Sequence, residues 1–321
     1  MEYNSESLPD FLINYFTYLD AVKNKSNKTI EGYYYDLTTF CRWLKLHLKL
    51  TSQKSKLSEI EINDLTIEHL QLITLDDLHK YMSYVKNKLN NNDCARARKV
   101  ACIRSFFKYL SVIEKKISIN PASELESPKL QKKLPKYLNL DESKKLLSSV
   151  DGNFSERDFA ILTIFLNCGL RISELVGLNI TDIKENTATV LGKGSKERKI
   201  YLNEACINSI QDYLKIRHKN GVFDRNALFL SKRKTRISVD SVQLIVKKYI
   251  KAAGLDPNIY SPHKLRHTFA TLMYKHGDVS ILALKEMLGH KDISTTEIYT
   301  HLEEKDLQEA SNKNPLSTFK K

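Results

Sequence analysis

The sequence predicts a mainly α-helical protein of two domains, the second of which also carries a small antiparallel β-sheet. Apolar residues recur with the 3.6-residue period of a helix through most of the 321 residues. A stretch rich in proline and lysine, residues 121–137, interrupts that pattern and is typical of a linker between domains. Residues 187–202 alternate side-chain type on either side of a glycine-containing turn, and this pattern predicts a hairpin.

The first domain, residues 1–120, is predicted to be entirely helical. Each of its four helices places apolar and aromatic side chains along one face. The third helix has the clearest start, because an aspartate follows Thr74 by three residues, as in a capping box. The polar stretch 49–73 is predicted to be a loop with one short extra element. The helices are expected in residues 7–22, 29–48, from Thr74 onward and in 93–113.

The second domain, residues 138–321, is predicted to combine seven helices with one β-hairpin. Thr187–Leu191 and Lys199–Leu202 are the predicted strands, and "GKGSKER" between them supplies the glycines that a hairpin tip needs. The helices are expected in residues 141–150, 155–167, 171–177, 204–219, 239–253, 262–275 and 279–288.

The charge of the chain favours a polyanionic partner. Its 51 Lys and Arg outnumber 38 Asp and Glu, which gives a net charge of +13 and a pI near 9.3. Basic side chains bind nucleic acid partly by releasing the counterions condensed on its phosphates. A basic surface also promotes solubility, so charge alone leaves both explanations open.

Other features of the sequence argue against several classes of protein. No apolar run approaches the length of a membrane span, and "MEYNSESLPD" at the start lacks the basic and apolar regions of a signal peptide. The five cysteines are scattered and form no C-x-x-C pair, which argues against a zinc site and against a disulfide framework. A cytoplasmic protein with no membrane partner is therefore expected.

The helix in residues 93–113 carries a basic side. Within that helix only Asp93 offsets the basic residues. A solvated helix face is the simpler explanation, but charges of one sign along one side favour a face that contacts DNA, in the major groove. The residues predicted to make that contact are Arg96, Arg98, Lys99, Arg104 and Lys108.

The strongest local signal is "SPHKLRHT" at residues 261–268. Its serine suits an N-cap and its proline the first helical position, so His263 and Arg266 share a face near a helix N-terminus, the end that favours an anion. His263 and His267 are spaced as in H-E-x-x-H zinc sites, but Lys264 stands where that motif has its glutamate. The pattern therefore indicates an oxyanion site better than a metal site.

Three further segments supply groups suited to a phosphate. "NCGLRISELVGL" places Arg171 after a glycine turn, and the hairpin tip carries Lys193. "LGHKDISTTEIYTH" places His290 after a helix end and Tyr299 on a helix that begins with a capping box. Taken singly, each has an ordinary explanation: Arg171 can pair with Glu174, a surface lysine is solvated, and one tyrosine among 16 is usually a core residue.

Together the motifs resemble the tyrosine recombinases, also called the lambda-integrase family, and among them the bacterial Xer branch. "GLRISEL", "GKGSKER", "HKLRHTFAT", "LGHKDISTT" and "IYTH" occur in the family's order and contain all six catalytic residue types. The resemblance covers residues 140–301, and the helical first domain resembles the family's core-binding, SAM-like domain. The catalytic residues that it implies are Arg171, Lys193, His263, Arg266, His290 and Tyr299.

The resemblance implies the DNA breaking-rejoining fold and a reaction that uses no metal and no other cofactor. Tyr299 is expected to attack a DNA phosphate, giving a 3′-phosphotyrosyl link, with His263 as the base that takes its proton. Lys193 is expected to protonate the departing 5′-oxygen.

Positive groups are expected to surround the phosphate in that reaction. Arg171, Arg266 and His290 would stabilise the charge that gathers on the non-bridging oxygens, as Mg²⁺ does in other enzymes. Lys196 is expected to contact the DNA backbone, and His267 to be a packed histidine with no role in proton transfer.

The expected function is site-specific recombination. The expected role is the resolution of chromosome or plasmid dimers, which serves chromosome partition and cell division. Integration or excision of a mobile element is the alternative within the family; a type IB topoisomerase and a catalytically silent DNA-binding regulator are the alternatives outside it. The expected partners are double-stranded DNA at a specific site, three further copies of the chain in a homotetramer on two duplexes, and a paralogous recombinase or a DNA translocase. Residues 302–321 are expected to dock on a neighbouring protomer. The 49–73 stretch is longer than in typical Xer proteins, so no contacts are carried over to it.

Overall fold

The computed structural model describes residues 7–129, 136–192, 197–218, 220–277 and 279–289. The chain divides into two compact units, Met1–Lys132 and Lys133–Lys321, and each unit has its own hydrophobic core. The predicted fold class, mainly helical with a small antiparallel sheet, is confirmed. Across these ranges, no helix is both long enough and apolar enough to span a bilayer.

The first unit is a bundle of helices around a core of aromatic rings. Tyr15 meets Phe106 edge-on with ring centroids 5.2 Å apart, and Phe40 meets Tyr81 in the same way at 5.1 Å. All four rings are fully buried, and burial of each stabilises the unit by about 2 kcal/mol. The helices are α1 (Asp10–Thr17, continued by a π-helical turn, Tyr18–Val22), α2 (Asn27–His47), α3 (Ile67–Gln71), α4 (Leu75–Asn87) and α5 (Asp93–Lys108, continued by a π-helical turn, Tyr109–Ile113).

Helix starts in this unit follow the predicted capping chemistry. The hydroxyl of Thr74 accepts a hydrogen bond from the amide of Asp77 at 3.3 Å, and the Asp77 carboxylate accepts from the amide of Thr74 at 3.1 Å. This reciprocal pair is the capping box that the sequence predicts at the start of α4. Ser26 and Asn92 cap α2 and α5 in the simpler way, each accepting from an amide three residues on.

The 49–73 stretch is more ordered than the predicted loop. It contains α3 and a 3₁₀ turn at Leu57–Glu59, and several of its apolar side chains join the core or are buried beside it. Lys45 on α2 holds it through an ion pair of 2.7 Å with Asp64. The sequence pattern missed this packing because the buried residues follow no single helical or strand period. The buried apolar residues of the stretch are Ile60, Ile62, Leu65, Leu70 and Ile73.

The segment predicted as a linker, 121–137, belongs partly to the first unit. Ala122 and Leu125 are buried in the core of that unit, while Leu138 is buried in the core of the second. The first compact unit therefore extends past residue 120, where the composition of the sequence had placed its end.

The second unit is built around one apolar helix, α7, which is buried along most of its length. Helices α9, α11 and α6 all pack against α7. The helices are α6 (Leu140–Ser148), α7 (Ser155–Cys168), α8 (Ile172–Gly177), α9 (Glu204–Ile216), α10 (Val239–Ala252), α11 (Pro262–His276) and α12 (Ile281–Leu288).

The sheet of this unit has three antiparallel strands in the order β1-β2-β3: Ile183–Lys184, Thr187–Leu191 and Glu197–Tyr201. The hairpin is confirmed, although its second strand begins two residues earlier than predicted. The two-residue β1 was not predicted, because two residues are too few to show an alternating pattern. In the register, Ala188 pairs with Ile200 and Val190 pairs with Arg198, so these four side chains share the inward face.

Candidate active site

The turn between α7 and α8 sets the position of Arg171. Gly169 ends α7 in the left-handed conformation, with φ of 59°, and a Cβ at this position would lie 2.3 Å from the ring of Phe269. Only glycine satisfies both constraints. The chain then turns through Leu170, so that Arg171 becomes the N-cap of α8 and its side chain emerges at the start of that helix.

Arg266 on α11 reaches the same turn from the other side. Its guanidinium is buried, and Nη1 donates to the carbonyl of Gly169 at 2.7 Å. His263 lies one helical turn earlier and is exposed at the N-terminal end of α11, which begins at Pro262 as predicted. The two predicted residues of α11 therefore stand beside the turn that carries Arg171.

A buried carboxylate, Glu174, joins the arginines. One oxygen, Oε1, accepts from Arg171 Nη1 at 2.8 Å; the other, Oε2, accepts from the Arg171 amide at 2.9 Å and from Arg198 Nη2 at 2.8 Å. Arg266 Nη1 lies 3.9 Å from Oε2. We call Glu174 with Arg171, Arg198 and Arg266 the Glu174 cluster; three guanidinium charges against one carboxylate leave a formal excess of two positive charges.

The same three arginines hold the C-terminal end of α12. The last carbonyls of a helix have no partner within it and carry partial negative charge, so guanidinium donors stabilise them. In residues 287–289, three consecutive carbonyls each accept from a different arginine of the Glu174 cluster. The pairs are Arg198 to Met287 at 2.7 Å, Arg266 to Leu288, and Arg171 to Gly289 at 3.2 Å.

The protonation of Glu174 and His263 follows from these contacts. Burial alone would raise the pKa of Glu174, but hydrogen bonds from Arg171 and Arg198 and the charge of Arg198 outweigh it and hold that pKa below its usual value. The pKa of His263 is lowered, chiefly because the surrounding protein partly removes its ring from water, and then by the charges of Arg266, Lys264 and Arg171. Glu174 is therefore an anion and His263 a neutral imidazole near pH 7.

His263 also contacts a second histidine. Its Nε2 lies 3.1 Å from Nε2 of His267, which is buried in α11, and the two rings meet edge-on. One ring nitrogen of the pair must donate and the other accept, so at least one of the two histidines is neutral. The buried position of His267 agrees with its prediction as a packed histidine.

Three of the six residues predicted to be catalytic thus come together: Arg171, His263 and Arg266. Lys193, His290 and Tyr299, as well as Lys196, lie outside the described residues. In sequence, His290 directly follows Gly289, the last residue of the segment that the arginines hold.

Sequence reasoning missed Arg198. It stands on the inward face of β3, two residues from the buried Ile200, where an alternating strand calls for an apolar side chain. A charged residue at an inward position of a strand is the signal that could have found Arg198. The sequence, however, predicts a strand that begins only at Lys199, and this leaves Arg198 outside the strand.

The predicted DNA-contacting side of α5 needs one correction. Lys99 is only 6% exposed, and its ammonium forms an ion pair with the buried Asp36 of α2, so Lys99 is a core residue. Arg98, which is half exposed, lies 2.6 Å from the same carboxylate. We call these three residues the Asp36 cluster. The sequence had suggested Asp93 as the only offsetting charge, because a carboxylate on another helix does not enter a one-helix pattern.

The remaining basic residues of α5 divide into two kinds. Arg104 and Lys108 are exposed, as expected for a face that meets a partner. Arg96 is half buried and pairs with Asp93 on its own helix. The exposed charge of α5 is therefore carried by Arg98, Arg104 and Lys108.

Comparison with known proteins agrees with the geometry. Residues 136–306 match the phage integrase family. The chain is 55% identical over 309 residues to the tyrosine recombinase XerC of Caldanaerobacter subterraneus subsp. tengcongensis, across 96% of this chain and 88% of the relative. It is 33% identical over 326 aligned positions to the tyrosine recombinase XerD of Rickettsia bellii, across 96% of this chain and 99% of the relative.

Among solved structures, the fold is similar to that of the XerH site-specific recombinase bound to its difH substrate before cleavage. The TM-score is 0.69 at 23% identity, across 94% of this chain and 83% of that one. The length of the family match and the identity to XerC together establish that this chain belongs to the tyrosine recombinases of the phage integrase family, enzymes that cut and rejoin DNA.

Proposed function

We propose that the Glu174 cluster and His263 form the described part of the site at which this protein cuts and rejoins DNA, with Tyr299 as the nucleophile. The observation that carries the proposal is the excess of positive charge around one buried carboxylate. Glu174 neutralises one of three guanidinium groups, so the site holds fixed cations for a phosphate. Arg171 has the most exposed side chain of the three, 36% against 15% for Arg198 and 3% for Arg266, and is the group that reaches a ligand from the solvent side.

In the proposed reaction, the Tyr299 oxygen forms a bond to the scissile phosphorus as the bond to the 5′-oxygen breaks. A tyrosine has an ordinary pKa near ~10, so its attack needs a base. His263 can accept the proton because its lowered pKa keeps it neutral. Lys193 gives a proton to the departing 5′-oxygen. Rejoining is the reverse attack by a 5′-hydroxyl, and it needs no ATP because the phosphotyrosyl bond conserves the energy of the phosphodiester.

The arginines of the cluster stabilise the transition state because their positions are fixed beforehand. Each guanidinium is already held by Glu174 or by a carbonyl of residues 287–289, so none must reorganise as negative charge gathers on the phosphate. Preorganised donors of this kind typically contribute 10²- to 10³-fold, or about 3 to 4 kcal/mol, to the rate. His290, next in sequence after Gly289, completes the proposed set.

Double-stranded DNA is the proposed substrate. The solved XerH relative is bound to its difH substrate, and the net charge of +13 suits a polyanion. In the first unit, Arg98, Arg104 and Lys108 are the proposed phosphate contacts, whereas the pairing of Lys99 with Asp36 removes it from this set.

Resolution of chromosome or plasmid dimers is the proposed role, carried out by a tetramer on two duplexes. The identities of 55% to a XerC and 33% to a XerD support the Xer type of recombinase over an integrase of a mobile element. Residues 302–321 are proposed to dock on a neighbouring protomer in that assembly.

A plasmid carrying two directly repeated target sites tests the proposed function. The sites are first selected by binding from fragments of the source genome. Purified protein in EDTA, without ATP, is expected to convert the supercoiled plasmid into two circles. Relaxation of a plasmid that lacks the sites would instead indicate a topoisomerase, and tight binding without any strand cleavage would indicate a DNA-binding regulator.

A further inference from the structure

We propose that Arg198 is a positioning residue for DNA cleavage. It holds the end of α12, which leads in sequence to His290, against Glu174, the carboxylate that also holds Arg171 and Arg266. This inference rests on the proposed function, because it assigns Arg198 a part in the same reaction. It gives a role to the third arginine of the Glu174 cluster, which acts through neighbouring groups without touching the DNA.

The location of Arg198 is costly unless the residue has a specific task. It shares the inward face of the sheet with Ala188, Val190 and Ile200, all of which are buried. Moving a guanidinium into such a place requires partners for its charge and its N–H groups. An apolar side chain at this position would fit the sheet without that cost.

The two partners of Arg198 belong to two different parts of the site. Nη2 donates to Glu174 Oε2 at 2.8 Å, and Nη1 donates to the carbonyl of Met287 at 2.7 Å. One planar fork therefore links the carboxylate of α8 to the last turn of α12. A lysine has no such fork, so its ammonium cannot reproduce the fixed geometry of both contacts.

Close packing at Gly289 strengthens the link. Gly289 has φ of 62°, and a Cβ built there would lie 2.8 Å from Cδ and 3.0 Å from Nε of Arg198. The backbone thus passes directly over the Arg198 side chain one residue before His290. The alkyl part of Arg198 sets the path of the chain at this point, and its guanidinium sets the position of the helix end.

A second arginine of the same unit provides a matched control. Arg157 is buried, forms an ion pair of 2.7 Å with Asp158 and donates to the carbonyl of Leu230 at 3.0 Å. It therefore has the same types of partner as Arg198, one carboxylate and one carbonyl, but neither partner belongs to the Glu174 cluster. Loss of Arg157 removes comparable structural contacts and leaves the site intact.

The experiment measures cleavage on a nicked duplex that carries the target site, in which the short fragment beyond the scissile phosphate diffuses away so that the covalent protein–DNA adduct accumulates. At saturating DNA, Arg198→Met is expected to slow adduct formation about 10²-fold, because a displacement of about 1 Å at a reacting group has that effect. DNA affinity is expected to be unchanged. Arg157→Met is expected to lower the melting temperature while folded protein cleaves at the wild-type rate.

A double variant separates positioning from general loss of structure. If Arg198 acts through Glu174, then Arg198→Met and Glu174→Gln disrupt the same interaction. The double variant is therefore expected to cleave no more slowly than the slower of the two single variants. Arg157→Met and Glu174→Gln are expected to act independently. Arg198→Lys keeps the positive charge and is also expected to cleave more slowly than wild type. If the Met variant does not fold, the cleavage rate of Arg198→Lys replaces it as the test.

Two kinds of result would contradict these proposals. Wild-type cleavage rates in Arg198→Met or Arg198→Lys, or multiplicative effects of Arg198→Met and Glu174→Gln, would overturn the inference alone. A wild-type protein that bound the nicked duplex and formed no adduct would overturn the proposed function and the inference with it.

Discussion

Each unit of this protein buries one carboxylate among basic side chains, and the two arrangements differ in a way that separates a structural cluster from a candidate active site. In the Asp36 cluster, a buried lysine and a half-exposed arginine meet the carboxylate. In the Glu174 cluster, three arginines meet the carboxylate, and each also donates to a carbonyl at the end of α12. The first cluster ties α5 to α2; the second ties the α7–α8 turn, the sheet, α11 and α12 to one point.

Burial acts on both carboxylates in the same direction, but their pKa values shift in opposite directions overall. Burial raises the pKa of Asp36 above its ordinary value, and the hydrogen bonds and charges of Lys99 and Arg98 do not compensate fully. Glu174 is equally buried, yet the hydrogen bonds of Arg171 and Arg198 lower its pKa. The Glu174 cluster also holds a formal excess of two positive charges, whereas the Asp36 cluster holds an excess of one, on the half-exposed Arg98.

The largest expected difference between the two clusters is in the rate of DNA cleavage, and Arg266→Ala is the variant that shows it. The guanidinium of Arg266 joins Gly169, Glu174 and Leu288, so the loss should slow DNA cleavage at saturating DNA by about 10²- to 10³-fold. Lys99→Met, in the Asp36 cluster, should leave the cleavage rate of folded protein unchanged. Adduct formation on the nicked duplex measures both. Equal losses of rate in the two variants would remove the functional distinction between the clusters.

Stability provides the second comparison. Glu174→Gln leaves three guanidinium groups without their carboxylate and should lower the free energy of unfolding by about 3 kcal/mol. Replacing Asp36 and Lys99 together by leucine and methionine removes both charges at once and should change the free energy of unfolding by no more than about 1 kcal/mol. Urea denaturation of both variants checks this. A double variant of the Asp36 cluster that is the less stable of the two would contradict it.

The pH dependence of stability should have opposite signs at the two carboxylates. Glu174 has a lowered pKa in the folded protein. Its contribution to the free energy of unfolding is therefore present above the pKa of an unfolded glutamate, about 4.3, and is lost as the pH falls through the pKa of the folded state. Asp36 has a raised pKa, so its contribution is present below the unfolded value, about 3.9, and is lost as the pH rises through its folded pKa. The measurement is the difference in unfolding free energy between wild type and Glu174→Gln, and between wild type and Asp36→Asn, across a range of pH. Slopes of the same sign against pH would contradict the opposite pKa shifts of the two carboxylates.

The smallest predicted effect concerns His263. Its neutral form is the proposed base, so the cleavage rate should fall on the acid side as His263 is protonated, below the ordinary histidine pKa of 6.5. Lys264→Met removes one of the charges that lower that pKa and should move the acid limb upward by a fraction of a pH unit. Lys275→Met, near the other end of α11, is the control that should leave the limb in place. A limb that does not move in Lys264→Met would exclude His263 as the titrating base.

Much of this architecture could be predicted because it depends on local patterns. The helical period placed α1, α2, α4 and α5 close to their observed positions, and the capping box at Thr74 marked the start of α4. The turn glycine and the Pro262 start likewise placed Arg171, His263 and Arg266 correctly, because each of these features is encoded within a few residues.

The features that escaped prediction are contacts between residues far apart in the chain. Lys99 meets Asp36 across 63 residues, and Arg198 meets Glu174 across 24. A period along one helix cannot report a partner on another, so the sequence predicts Lys99 as an exposed DNA contact and assigns no role to Arg198. In the 49–73 stretch, burial of Ile60 and Ile62 depends in the same way on the helix beneath, which no local pattern shows.

We propose that this site cuts DNA with a tyrosine and no metal, and the covalent adduct formed with DNA is the direct test of that reaction. Wild type and Tyr299→Phe are each incubated in EDTA with the nicked duplex, and adducts that resist SDS are counted. An adduct is expected with wild type, mapped by peptide analysis to Tyr299, and none with the phenylalanine variant. An adduct that persists in Tyr299→Phe, or one that forms only when a divalent metal is supplied, would contradict it.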